Sequence, residues 1–437
     1  MTDAAGAAPD QMAGRGRSSI VDLIRVTEID LRQFGMVVAL VLIWVALGIL
    51  KPEILSAVNF LTFSVQAAGI AVLATGMVIV IVSRNIDLSV GSVVGFIGMV
   101  YAEFMAHFLP ETIGFPTNHP LVWIIALTLG ILVGIAIGAL QGFLIAYLEI
   151  PSFVVTLGGL FLFRGLIWQL SGGTTVAPDD PTFVLLGGGP EGSLGGPLSW
   201  IFGIVICLAT VYLLVNARRQ RRRFGFPVRP MWAEVLIGGV AIAVVLGAVY
   251  TANSYHWPAG LATQYAAKHG ITEPAGGLQI EAGIPFPLVI VIGVTIVMTF
   301  IATRRRFGRD IYAFGGNPQA AELAGINTRW TVMKIFILMG ILCAISAAIA
   351  SARLNGGTLD LGTGYELYVI AAAVIGGTLF AGGVGSIPGA ILGALVMQSL
   401  QYGLSFLQFN SPQINMVLAV VLVGVVGVDQ WARRRAR

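Results

Sequence analysis

Long apolar runs separated by short polar connections make up most of this chain. A helix needs about 20 apolar residues to cross a bilayer core, within a range of about 17–25. By that rule, spans are expected near 34–50, 64–82, 88–108, 121–148, 153–170, 199–216, 231–252, 285–303, 331–351, 367–382, 386–407 and 413–430, about twelve in all. At 64–108 and 367–407 two apolar runs meet at a short Gly/Ser-rich break. Either pair, read as one broken or re-entrant segment, lowers the count to ten or eleven. The fold predicted is all-α and polytopic, with about 10–12 transmembrane helices, some of them broken. A polar N-terminal tail, 1–33, precedes a transmembrane domain over 34–430, and a basic tail, 431–437, follows it. The first apolar run lies too far from the N-terminus, behind too long a charged segment, for a cleavable signal peptide.

Composition supports that pattern. Of 437 residues, 57% are hydrophobic and 11% charged, against roughly a quarter charged in soluble domains. Glycine, at 56 residues, suits close helix packing in lipid. The net charge of +4 is no sign of nucleic-acid binding, because the arginines sit in blocks beside apolar runs. Cytoplasmic connections collect Lys and Arg. With the N-terminus inside, 20 of the 25 fall in inner connections, around 15–32, at Arg84, over 218–229 and 304–329, and at 433–437. Only Lys51, Lys268 and Arg353 fall outside, while Arg164 and Lys334 lie within or at the edge of spans. Both termini and the polar loop 304–330 are therefore expected in the cytoplasm. The outer loops, Ser171 to Leu198 and Thr251 to Gly283, are where a partner or solute from outside would land.

Catalytic chemistry is sparse. Cys207 and Cys343 lie in separate apolar runs, and His107, His119, His256 and His269 are scattered, so no disulfide framework or metal site is expected. A P-loop needs Gly-Lys followed by Ser or Thr; the three lysines precede Pro52, His269 and Ile335, so ATP would have to bind another subunit. Asp179, Asp180 and Glu191 have no nucleophile beside them, which argues against a membrane-embedded transferase. An ion-coupled carrier needs carboxylates near mid-membrane, and Glu103 stands near the outer end of its span. Arg164, inside FLFRGLIWQLSGG, should pair, snorkel or face a polar path.

Two polar stretches stand out. In Gly308 to Trp330, Asn317 is a good N-cap, Pro318 falls at the first helical position, Gln319 to Ala324 contains helix formers, and Gly325 suits a left-handed C′ residue with Ile326 folding back. The expected helix has about two turns and is marginal alone, so it needs a surface, either its own protein or a groove on a cytoplasmic partner. In Ser83 to Gly95, SRNIDLSVGSVVG, Arg84 and Asp87 flank a break, and Gly91 and Gly95 form a small-xxx-small pair for close helix approach. Val374 to Leu395 has the same cadence of apolar run, glycine break and Val-Gly-Ser, which suggests an internal repeat.

Four motifs in order resemble the permease subunits of bacterial ABC monosaccharide importers, the ribose, galactose and xylose type: SRNIDLSVGS, GFLIAYLEIPSFVVTLGGLFLFRGL with SGGTTV, GRDIYAFGGNPQAAELAGI, and FAGGVGSIPGAILGAL. The likeness covers about Phe60 to Arg435 and is greatest to the xylose permeases, through an extra basic loop, Ala217 to Pro230, an extra span to Tyr250 and the loop up to Gly283. That inserted span should sit at the rim. The resemblance implies a bacterial inner-membrane protein with no cofactor of its own. Its partners would be a second permease subunit, cytoplasmic ATPase subunits and a periplasmic sugar-binding protein. It maps the ATPase-coupling segment onto Gly308, Asn317, Pro318, Ala320, Ala321, Glu322, Leu323, Gly325 and Ile326. A bulky charged residue at Ala321 is then expected to uncouple transport and spare folding. Candidates for the translocation path are Gln66, Thr75, Asn85, Asp87, Ser89, Thr156 and Arg164. Another monosaccharide, branched-chain amino acids or an ion-coupled sugar carrier are the alternatives.

Overall fold

A computed structural model describes residues 30–116, 119–177, 180–271 and 277–435. Asp179 and most of the tail read over 1–33 lie outside these residues. Among the described residues the regular structure is helical, joined by isolated antiparallel bridges. In chain order the helices are α1 (Leu31–Leu50), α2 (Ala57–Val82), α3 (Val90–Glu103), α4 (Val122–Ala146), α5 (Ser152–Ser171), α6 (Gly196–Arg223), α7 (Met231–Asn253), α8 (Phe286–Arg304), α9 (Arg306–Gly316), α10 (Pro318–Leu323), α11 (Thr328–Leu354), α12 (Tyr365–Ile375), α13 (Ile387–Phe406) and α14 (Ser411–Arg435). Two short helices, Pro181–Leu185 and Ala259–His269, lie in the long connections.

With α3 continued by a π-helical stretch, Phe104–Thr112, ten of these are long and apolar enough to cross a membrane; α12 and the apolar part of α14 are shorter. All twelve apolar runs therefore become helix, and both Gly/Ser breaks are real interruptions. The first separates two full-length helices, whereas the second follows the 11-residue α12. The cadence shared by the two breaks does not extend to their caps. Val90, Gly91 and Ser92 open α3 itself, while Val384, Gly385 and Ser386 precede α13.

Hydropathy does not separate core from rim, but packing does. The apolar window of α2 is 94% buried, and α2 packs against α8, α11, α12 and α13. An all-round apolar helix at the centre of a membrane bundle has this character. By contrast, the window of α6 is 11% buried and that of α7 17%. These two pack mainly on each other at the rim, which is where the inserted span was expected. Arg218 pairs with Glu234 at the ends of this hairpin.

Glycine sets the closest contacts. Gly130, Gly134, Gly138 and Gly142 recur every four residues along one face of α4. A Cβ on Gly134 would strike Gly340 O of α11, one on Gly340 would strike Gly134 O, and one on Gly138 would strike Phe336 O. Small residues let the two backbones meet, which is the main source of helix association in lipid. A second glycine face, Gly91, Gly95 and Gly98 on α3, meets the connection that leads from α11 into α12. Added Cβ atoms there would collide with Gly362 O, Leu361 O and the Leu361 side chain. The small-xxx-small pair thus receives the backbone of the connection between α11 and α12 together with side chains of neighbouring helices, Glu366 of α12 against Gly91 and Ile167 of α5 against Gly95.

The break before α3 is closed by local polar bonds. Asp87 Oδ1 accepts from the Ser89 amide at 2.8 Å and from the Ser89 hydroxyl at 2.7 Å. Burial pushes the Asp87 carboxyl up to about 6, against these two bonds, which hold it down.

The connections sort into two ends. At one, the 382–385 turn, the C-terminus of α2 and α9 meet. At the other, Val176 bridges to Gly357, Ser193 to Pro285 and His256 to Glu281. The segments that meet at each end are those that the arginine pattern puts on one side.

Two expectations follow for thermal unfolding in detergent. Gly138→Ala must push α4 off α11 and should cost about 1–3 kcal/mol, whereas Gly158→Ala, with nothing near its added methyl, should be neutral or gain about 0.5–1 kcal/mol of helix propensity. Asp87→Asn keeps an acceptor and sheds a charge that burial disfavours at neutral pH, so it should match the parent. Asp87→Ala should lose about 0.5–2 kcal/mol, as for a lost helix cap.

Candidate functional site

The polar loop read over 304–330 is two helices joined at one residue. Asn317, with φ −149° and ψ 100°, is extended; it ends α9 and caps α10. Its Oδ1 accepts from the Ala320 amide at 3.1 Å, and Pro318 occupies the first helical position. At the far end Gly325 adopts φ +78°. The Gly325 amide donates to Glu322 O at 2.9 Å and the Ile326 amide to Ala321 O at 3.0 Å, the paired bonds of a Schellman cap. The caps read from sequence all form. The preceding helix α9 was not expected, because its apolar residues are interrupted by Gly308 and flanked by arginines. Gly308 sits at the corner with α8, where a Cβ would strike Ala302 O and Ile301 O.

The faces of α10 divide cleanly. Ala321 is 4% exposed and Leu323 91% exposed. Glu322 Oε1 accepts from the Thr328 hydroxyl at 3.0 Å, and Asn327 Oδ1 caps α11 through the Trp330 amide at 2.9 Å. A charged residue at Ala321 therefore disturbs the packing of α10 on its own protein, and the expectation that folding is spared does not hold. Gln319, Ala320 and Glu322 are exposed as well, and Leu323 is the large apolar side chain of α10 that stands clear.

Just before Asn317, α9 ends against the first membrane break. Arg84 has φ +64°. Its Nε donates to Gly315 O at 2.7 Å and its Nη2 to Gly316 O at 2.8 Å. A helix C-terminus has free carbonyls and partial negative charge, so a guanidinium suits it. The Gly383 amide in the second break donates to Val82 O at 2.9 Å, and the Tyr312 hydroxyl of α9 donates to Gly385 O at 2.9 Å. Gly315 is required here, because its Cβ would strike Val82 O.

Of the path candidates, Asn85, Asp87, Ser89 and Thr156 come together around the first break. Asn85 Nδ2 donates to Ser83 O at 3.1 Å and to Ser83 Oγ at 3.0 Å. The Thr156 hydroxyl donates to Ser152 O at 2.9 Å and lies 3.3 Å from Ile86 O. Arg164, farther along α5, donates through Nη1 to Leu361 O at 3.0 Å and Leu359 O at 3.3 Å. Its guanidinium thus supports the non-helical connection packed on α3. Thr75 is fully buried in α2 and donates to Val72 O in its own helix at 2.7 Å. Gln66, half-buried on the same helix, lies apart from the cluster.

Sequence reading missed several participants. Gln141 Nε2 donates to Ser89 Oγ at 2.8 Å, and the Ile86 amide donates to Ser152 Oγ at 3.3 Å. Glu366 Oε2 is buried without a hydrogen-bond partner, on the face that Gly91 leaves open. Gln141 had a signal, as the one amide in the apolar run of α4. Glu366 had none that distinguished it from an interfacial carboxylate.

The family model described as "Branched-chain amino acid transport system / permease component" matches residues 59–426. The xylose transport system permease protein XylH of Escherichia coli (strain K12) is 34% identical over 413 residues, 93% of this chain and 94% of that protein. XylH of Haemophilus influenzae is 33% identical over 94% of this chain and 100% of its own. The ribose import permease protein RbsC of Escherichia coli (strain K12) is 28% identical over 91% of this chain and 94% of its own. No solved structure matches. The chain belongs to the family of permease components of branched-chain amino acid transport systems.

Proposed function

We propose that this chain is the membrane-spanning permease subunit of an ATP-driven sugar importer, with D-xylose as substrate. The observation that carries the sugar is the pair of xylose permeases 33–34% identical over almost the whole chain. In this reading ATPase subunits dock on α10 from the cytoplasm, a periplasmic binding protein delivers the sugar, and a second copy of the chain completes the pore. Both termini lie in the cytoplasm of a bacterial inner membrane, as the 20-to-3 arginine and lysine count supports.

No chemistry on the sugar is involved. The ATPase supplies the free energy, and its closure displaces α10. Leu323 is the apolar anchor, standing free on a helix held by caps at both ends. A cleft of about 290 Å³, lined by Arg306, Asp310, Gly325, Ile326, Trp330 and Lys334, opens between α9 and the start of α11. The path around Asn85, Asp87, Ser89, Thr156 and Arg164 is mildly polar, because tight recognition is left to the binding protein. A branched-chain amino acid is the second reading, favoured by the description of the matching family.

The test is ATP hydrolysis in liposomes containing this chain and the ATPase encoded with it. Binding protein carrying xylose, ribose, galactose or leucine is added in turn. Stimulation with xylose alone is expected; stimulation with leucine alone would replace the sugar reading by the amino-acid one. Leu323→Asp should weaken retention of the ATPase subunit on the order of tenfold or more, as expected of a central apolar anchor, with unchanged melting of the isolated permease. An unchanged ATPase complex would overturn docking through α10.

A further inference from the structure

We propose that Arg84 is a positioning residue that couples α10 to both membrane breaks. This rests on the docking role proposed for α10. Three segments distant in sequence meet at one joint: the end of α2, the end of α9 and the 382–385 turn. Arg84 holds the last two residues of α9, Gly315 and Gly316, by one planar guanidinium. Asn317 follows at once and is the cap of α10. A displacement of α10 thus has a single extended residue in which to dissipate before it reaches Arg84.

Arg84 also lies in the loop between α2 and α3 that contains Asn85, Asp87 and Ser89. From the other side, Val82 O accepts from the Gly383 amide in the break between α12 and α13. A Cβ on Gly382 would meet the Arg84 side chain, Gly315 O and Val82 O, so that turn, α9 and α2 are in backbone contact. A force on α9 therefore acts on both breaks together. The backbone of Arg84 adds an independent sign. A residue with a side chain rarely adopts φ +64°, and such conformations persist where the surroundings impose them, often at switch regions. A shorter cation cannot reproduce the two parallel donors of arginine.

The experiment uses the full complex of permease, ATPase and sugar-loaded binding protein in liposomes, reading assembly, ATP hydrolysis and xylose taken up per ATP. Arg84→Gln should assemble and hydrolyse ATP while uptake per ATP falls roughly tenfold, the scale of one lost charge-assisted hydrogen bond. Arg84→Lys should recover part of the loss. Gly315→Ala, which pushes α9 off Val82 from the opposite side, should reproduce the Arg84→Gln defect. Unchanged uptake per ATP in Arg84→Gln would overturn the proposal. So would loss of assembly or of thermal stability in all three variants, since the bonds would then serve folding alone. Leu323→Asp, run in parallel, reports on docking by itself: its failure to release the ATPase counts against the role of α10, whereas intact coupling in Arg84→Gln counts against the joint.

Discussion

In hydrocarbon every backbone amide and carbonyl must find its partner within the protein, and this chain keeps the same rule at the buried turns where its helices end. Each interruption is answered by a specific group. The loop before α3 is closed by Asp87 and Ser89, with Gln141 reaching in from α4. The connection packed on α3 gives carbonyls to Arg164, and the end of α9 gives carbonyls to Arg84. Two of the few arginines near the membrane thus support backbone that cannot support itself.

Glycine is the other half of that solution. Gly91 and Gly95 of α3 face Gly362 and Leu361 of the irregular connection, and Gly315 of α9 faces Val82, the last residue of α2. The same device joins α4 to α11 over Gly134, Gly138 and Gly142, one turn apart. Between apolar side chains and apolar lipid there is little hydrophobic preference, so close backbone approach provides the specificity. The rim hairpin α6–α7 lacks this contact with the centre and is mostly exposed. Its paired Arg218 and Glu234 fasten the hairpin to itself, not to the bundle. A peripheral hairpin of this kind lengthens the chain without altering the broken helices.

Transport asks such a bundle to be rigid locally and movable as a whole. The capped α10 is rigid through the bonds of Asn317 and Gly325, and its outward face carries a bare leucine. The breaks are the places where helices can turn relative to one another with few hydrogen bonds lost. In the coupling proposed for Arg84, the bonds of this joint would pass small displacements of α10 to both breaks.

Much of this was present in the sequence. The apolar runs fixed the helices, since about 20 residues are needed to cross the bilayer whatever the neighbours. The caps of α10 were also local, because Asn317, Pro318 and Gly325 act on amides within a few residues. So were the two breaks. Only the tertiary structure decided which apolar helix is central: α2 and α6 read alike in hydropathy yet differ from 94% to 11% burial. It also decided what each glycine faces and which carbonyls Arg84 and Arg164 hold. Those partners lie about two hundred residues away along the chain, and hydropathy records a side chain's affinity for lipid, not the identity of the backbone that will meet it.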